Sequence, residues 1–189
     1  MIRMLAVCSV VCTALVSCAV DSSDDRDGSE DSLPGVSKWQ PLVDATLWQE
    51  TAPQDDPLAE HRGNSIVCPE SAWYPEPGGV EIETTACAYV SLSQPLGENI
   101  AAGDMLHVVA WWQTLVSVEP ALGHLAVLIG NEIVWDEHID IPGKADARVI
   151  EFVAGSSFAA GETVTFHLHN HGFNTWTFSE LARKSGSFE

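Results

Sequence analysis

At 189 residues, 46 % of them hydrophobic and seven of them Trp, the chain holds enough apolar material for one domain with a real core, and too little length for a multidomain enzyme. Eight Lys and Arg stand against 27 Asp and Glu, a formal charge of −19, so a nucleic-acid partner, whose phosphates are gripped by neutralising cations, is excluded.

Residues 1–18 read MIRMLAVCSVVCTALVSC, one cation at Arg3 followed by an unbroken run of apolar and small residues that ends at Cys18. The run has the length of a signal-peptide core and falls short of a stable membrane span. Its last four residues, Leu15-Val16-Ser17-Cys18, resemble the lipobox of bacterial lipoproteins, in which the leader is cut before the cysteine and that cysteine is acylated. The resemblance implies a signal peptide over 1–17, a lipid on Cys18 that holds the chain to a bilayer, and a place in the bacterial cell envelope. Ala19-Val20 follow the cysteine where an Asp would signal retention, which by analogy with enterobacterial sorting leans towards the outer membrane, on its periplasmic or surface side. An ordinary secretory peptide cut nearby, or a short anchor, is the plainer alternative.

Cysteine usage agrees with secretion. With the cut and acylation that the resemblance implies, Cys8 and Cys12 would leave with the leader and Cys18 would carry lipid, so that Cys68 and Cys87 remain as an even pair in an oxidising compartment. A disulfide between them is expected, closing a loop of about 20 residues and contributing on the order of 3 kcal/mol. Two buried free thiols are the alternative.

From Ala19 to Gly35 the chain is rich in Ser and acid with no apolar periodicity, which reads as a solvated, disordered tether; together with the acylated Cys18 that the lipobox resemblance implies, it forms the segment 18–35. The remaining domain, 36–189, still carries 21 acids against six bases, a solvated surface that keeps it away from anionic partners. Between Val36 and Gly63, with Pro41, Pro53 and Pro57 as breakers, one or two short strands are expected. Beyond it, period-2 alternation recurs over Asn64–Cys68, Val80–Thr84, Cys87–Ser93, Asp104–Leu115, His124–Gly130, Glu132–Ile139, Ala147–Val153, Glu162–Asn170 and Asn174–Leu181. Glycine- and proline-bearing turns separate these runs, and the spacing predicts an all-β fold, an antiparallel β-sandwich. If Gly130-Asn131 is a two-residue turn, Ile129 faces Glu132, Leu128 faces Ile133, Ala126 faces Trp135 and His124 faces Glu137, in a hairpin apolar on both faces and therefore central.

The segments AAGDMLHVVAWWQ (101–113) and AAGETVTFHLHNHGFNTWTFSEL (159–181) resemble the jelly-roll modules of the carbohydrate-binding and galactose-binding-like type. The likeness spans about the last 90 residues and implies a sheet face on which aromatic and hydrogen-bonding side chains grip a polysaccharide. Many such modules hold a structural calcium, but no calcium-ligand signature carries over to particular residues of this chain.

The densest polar constellation is His167-Leu168-His169-Asn170-His171-Gly172. Along a strand His167 and His169 share one face with Thr163 and Thr165, about 6.6 Å apart, with His171 continuing that face. That spacing allows a zinc-like site on His167, His169 and His171, completed by His107, His138, Glu137 or Asp136, against the plainer reading of a polar sheet face. Asn170, His171, Asn174 and Trp176 gather around Gly172 as a ligand loop or simply as a turn that starts the last strand. Trp111 and Trp112 are neighbours, so they point to opposite faces of their strand and one is a candidate stacking platform; Trp73-Tyr74 is a second candidate. The ligand face expected from these elements is Trp111, Gln113, His167, His169, Asn170, Asn174 and Trp176; no cofactor is required by it, and calcium or zinc are the candidate ions for the chain as a whole. GxSxG, HExxH and phosphate-binding glycine loops are all absent from the sequence. A non-catalytic carbohydrate-binding lipoprotein is the leading expectation, with a zinc-type metalloprotein or an envelope-assembly protein without small ligand as the alternatives.

Overall fold

The computed structural model describes residues 38–185; the leader, Cys18 and the acidic tether lie outside the described residues. In chain order the elements are β1 (Lys38–Pro41), a 3-10 turn (Ala45–Leu47), β2 (Gln49–Glu50), α1 (Ala59–Arg62), a second 3-10 turn (Glu70–Ala72), β3 (Trp73–Glu76), β4 (Gly79–Glu83), β5 (Tyr89–Pro95), β6 (Met105–Trp112), β7 (Ala121–Ile129), β8 (Glu132–Ile141), β9 (Asp146–Val153), β10 (Thr163–His169) and β11 (Thr175–Ser185). The first sheet runs β3-β4-β11-β6-β9, with β1 also paired to β11, and the second runs β2-β5-β10-β7-β8. The paired strands are antiparallel, and the two sheets form a β-sandwich.

Strict alternation explains why the sheets stack. On β6 Leu106, Val108, Ala110 and Trp112 are buried, and on β10 Val164, Phe166 and Leu168 meet them from the other sheet. Phe166 and Phe178 stack between the sheets at 4.6 Å, and Trp112 lies 5.4 Å from Trp176. Each such side chain contributes about 1.5–3 kcal/mol by leaving water. At the open edge Arg148 on β9 reaches β8: its Nε donates to Glu137 Oε1 at 2.5 Å, and its guanidinium covers the Trp112 ring at 5.0 Å.

Three sequence expectations are revised. Asn64–Cys68 makes only a single bridge, Val67 with Tyr89, because the chain is leaving α1 in a turn in which Ser65 N donates to Arg62 O at 2.8 Å. Trp73–Glu76, where no strand is expected from the sequence, is an edge strand, a position in a sheet that admits Pro75. The third revision has the largest consequence. The hairpin begins in the expected register, Ile129 with Glu132 and Leu128 with Ile133, and then slips, so that Val127 pairs with Trp135, Ala126 with Asp136 and His124 with His138. The extra residue is a β-bulge, and each side chain beyond it changes face. Trp135 joins the core, while Asp136 and His138 come to lie outside beside His124. β8 is an edge strand, so only the β7 half of the hairpin is central.

The expected disulfide Cys68–Cys87 is formed. It fastens the end of a segment that crosses the outer face of the second sheet, where Leu58 packs on Ala126 and Leu128.

Candidate functional site

The residues expected on one ligand face are divided among three places. Trp111 lies on β6 and Gln113 just beyond it, in the first sheet, whereas His167 and His169 lie on β10 in the second. All four belong to outward-facing rows, so the two sets sit on opposite sides of the sandwich. Alternation tells which residues of a strand share a face and not which sheet the strand enters, and that is why the single face does not form.

Asn170, Asn174 and Trp176 are buried and bonded to one another. Asn170 Oδ1 accepts from Asn174 Nδ2 at 2.8 Å and from the Trp176 indole at 3.1 Å, while Asn170 Nδ2 donates to Thr84 Oγ1 at 2.8 Å and to Gly172 O at 3.0 Å. Asn174 Nδ2 also donates to His171 O at 2.9 Å, and Asn174 Oδ1 accepts from Val116 N at 2.6 Å. Both amide NH2 groups spend their two protons and the Asn170 oxygen accepts twice, so this buried cluster builds the turn. Gly172 is required there: its φ is +94°, and a Cβ would stand 2.0 Å from Val116 O.

On the outer face of the first sheet, Tyr74, Glu81, Thr177, Trp111 and Ala147 fall in one register row across β3, β4, β11, β6 and β9. Tyr74 is 37 % exposed and Trp111 36 %, three strand spacings apart, a span of about 14 Å. Between them Glu81 accepts the Tyr74 hydroxyl proton bond at 2.5 Å, which pushes the phenol pKa up to about 12. In the neighbouring row Thr175 donates to Glu83, which also accepts from Thr85 at 3.0 Å, and Gln113 is exposed beside them. The sequence reading found Trp111 and Tyr74 separately; their alignment, with Glu81 and Glu83 between, depends on the pairing of four strands.

The outer face of the second sheet carries the histidines. In register, His169 pairs with His124 and His124 with His138, while His167 pairs with Ala126 and Ala126 with Asp136. His61 on α1 descends onto this face, its ring centroid 5.4 Å from that of His167 and 5.1 Å from that of His124, which stands 4.9 Å from His167. One ring nitrogen from each of the three lies within 4.8 Å of the other two. His124, Asp136 and His138 form a second such group, in which His124 Nε2 and Asp136 Oδ2 are 2.8 Å apart. His167 is fully buried and neither of its nitrogens has a hydrogen-bond partner; burial, helped by the neighbouring imidazoles, drives its pKa down to about 2. Burial also lowers the pKa of His124, against the pull of Asp136, and that of His169.

The trio His167, His169 and His171 does not converge. His169 Nε2 meets Ser65 Oγ at 3.1 Å, and exposed His171 lines a shallow groove with Val118, Leu122, Asp140 and Phe173. Of the other residues considered as ligands, His107 is on the first sheet under Trp39 and Glu137 is held by Arg148. His61 was missed because it falls in a stretch with no periodicity, and His124 because the bulge that gives it Asp136 and His138 leaves no mark in the hydropathy pattern.

No family model matches the chain, and no curated protein does. Among solved structures, it is similar to the CBM61 module TmCBM61 in complex with β-1,4-galactotriose, with 9 % identity, a TM-score of 0.45 and coverage of 78 % of this chain and 99 % of that one. A CBM4 structure matches with 13 % identity and a TM-score of 0.42 over 60 % of this chain and 88 % of its own. CBM51 from Clostridium perfringens GH95, in complex with methyl-galactose, matches with 14 % identity and a TM-score of 0.37 over 77 % of this chain and 94 % of its own. At these values the likenesses carry no weight in assigning a ligand.

Proposed function

We propose that the protein is a non-catalytic envelope lipoprotein, anchored through acylated Cys18, whose β-sandwich binds a carbohydrate across the outer face of the first sheet. The observation that supports it is the row in which exposed Tyr74 and Trp111 flank Glu81. Aromatic faces stack on the C–H faces of sugar rings, and Glu81, Glu83 and Gln113 offer acceptors and donors for the hydroxyls between them. A short oligosaccharide running across the strands would touch both rings at once.

The test is affinity electrophoresis of the soluble chain from Ala19 to Glu189 through gels containing a panel of polysaccharides, with and without EDTA. Retardation on at least one polysaccharide is expected, surviving EDTA and lost in Trp111→Ala and in Tyr74→Ala. No retardation on any gel would overturn the reading in favour of an envelope-assembly role. The anchor is tested in cells by incorporation of labelled palmitate, which is expected in the intact chain and abolished by Cys18→Ala.

A further inference from the structure

We propose that His61, His124 and His167 form a binding site for one divalent transition-metal ion of the zinc type, which pins the crossing segment of residues 52–66 to the outer face of the second sheet. The site is on the opposite side of the sandwich from the carbohydrate row and does not rest on that reading.

Two observations converge on it. The first is geometric: three imidazoles from three separate elements, α1, β7 and β10, bring one nitrogen each within 4.8 Å of the others. An ion bound tetrahedrally at about 2.0–2.1 Å from each nitrogen would set those nitrogens about 3.3 Å apart, so each ring need move by about an ångström or less. The second is an unmet demand. His167 has no exposed surface and no hydrogen-bond partner on either nitrogen, a condition native interiors avoid because a buried polar group without a partner loses its hydration for nothing. A cation accepts one lone pair from each of the three rings and so meets that demand at one of the two His167 nitrogens. The donor set selects the ion: neutral imidazoles suit zinc, copper and nickel, whereas calcium takes oxygen ligands. Burial keeps His167 neutral, which is the ligating form.

The surroundings are those of a supported site. Asp136 holds His124 at 2.8 Å, the carboxylate–histidine contact that orients a ligating ring. Asp56, buried on the inner side of the crossing segment, accepts from the Tyr89 hydroxyl at 2.5 Å and from Leu58 N at 3.1 Å and pairs with Arg62 at 3.3 Å, fixing the turn from which His61 projects. His61 is partly exposed, which leaves a solvent molecule room to take the fourth position.

The experiment uses the full chain purified without an affinity tag and stripped with EDTA, titrated with zinc chloride by calorimetry at pH 7.5 and melted with and without zinc. One zinc ion per chain and a rise in Tm are expected. His61→Ala, a change at a partly exposed position, is expected to weaken binding at least 100-fold and to abolish the rise in Tm. His138→Ala, which removes only the second group, is expected to leave the affinity within about threefold. Absence of stoichiometric zinc, or zinc bound equally well by His61→Ala, would overturn the proposal. Failure of polysaccharide retention with zinc binding intact would leave it standing.

Discussion

The two outer faces of the sandwich are built by the same alternation and end in opposite conditions. The first sheet shows Tyr74 and Trp111 to solvent, with half-buried Glu81 between them, along a row supplied by strands alone. The second sheet has an equally polar row, but residues 52–66 roof it, with Leu58 seated on Ala126 and Leu128 and Asp56 bonded to Tyr89. The roof turns a polar sheet face into a buried polar pocket and removes His167 from water. On the open row the exposed rings stay within reach of water and of a large ligand, although Thr177 between Glu81 and Trp111 is buried with no partner for its hydroxyl; on the roofed row both nitrogens of His167 are in that condition.

If the roof is what separates the faces, breaking its anchor has the largest effect. Asp56→Ala leaves the Tyr89 hydroxyl and Arg62 without their shared partner, and its expected cost is about 3 kcal/mol in urea unfolding, with faster amide exchange across 52–66. Glu81→Ala, the corresponding loss on the open face, is expected to change stability by no more than about 0.5 kcal/mol. Equal costs for the two would mean that the roof is not a stabilising layer.

Acid provides the next largest effect. His167 is held at about 2 in the folded chain against 6.5 as a free group, because burial disfavours the imidazolium. Above pH 6.5 neither state is protonated and the shift has no consequence. As pH falls below 6.5 the unfolded chain takes up a proton that the folded chain refuses, so stability is lost at about 1.4 kcal/mol per unit, or about 2 kcal/mol by pH 5. His124 and His169, lowered mainly by burial, act in the same direction. Urea midpoints at pH 7.5 and 5.0, measured in EDTA, check this; His167→Gln is expected to flatten the slope, and an unchanged slope would place its origin elsewhere.

What the sequence made legible follows from the range of the signal. Period-2 alternation over Leu106, Val108, Ala110 and Trp112 is local, so the inward face of β6 and the sandwich class could be read from residues alone, and the compartment argument led to Cys68–Cys87. The turn at Gly130-Asn131 set the first two pairs of its hairpin, but the bulge after Ile133 is chosen by packing, since Trp135 gains the core by the slip. Asn170 and Asn174 offered the same residue types to a ligand and to a turn, and only the burial of Trp176 and Thr84 beside them decides for the turn. Sites assembled from α1, β7 and β10, or from β3, β4 and β6, depend on strand order, which no local pattern carries.

The smallest expected effect on stability is also the one that sharpens the contrast most. Trp111→Ala and Tyr74→Ala each remove a ring that is more than a third exposed from an open face, so unfolding free energies are expected to stay within about 0.5–1 kcal/mol of the parent. Loss of polysaccharide retention in both, with that stability kept, would separate recognition from folding on this face. Phe173→Ala supplies the control, since Phe173 is 60 % exposed but lies in the groove with His171, away from the row. If Phe173→Ala abolished retention while Trp111→Ala and Tyr74→Ala did not, the sugar would bind at the loops between β6 and β7 and between β10 and β11, and the open sheet face would be only a solvated surface.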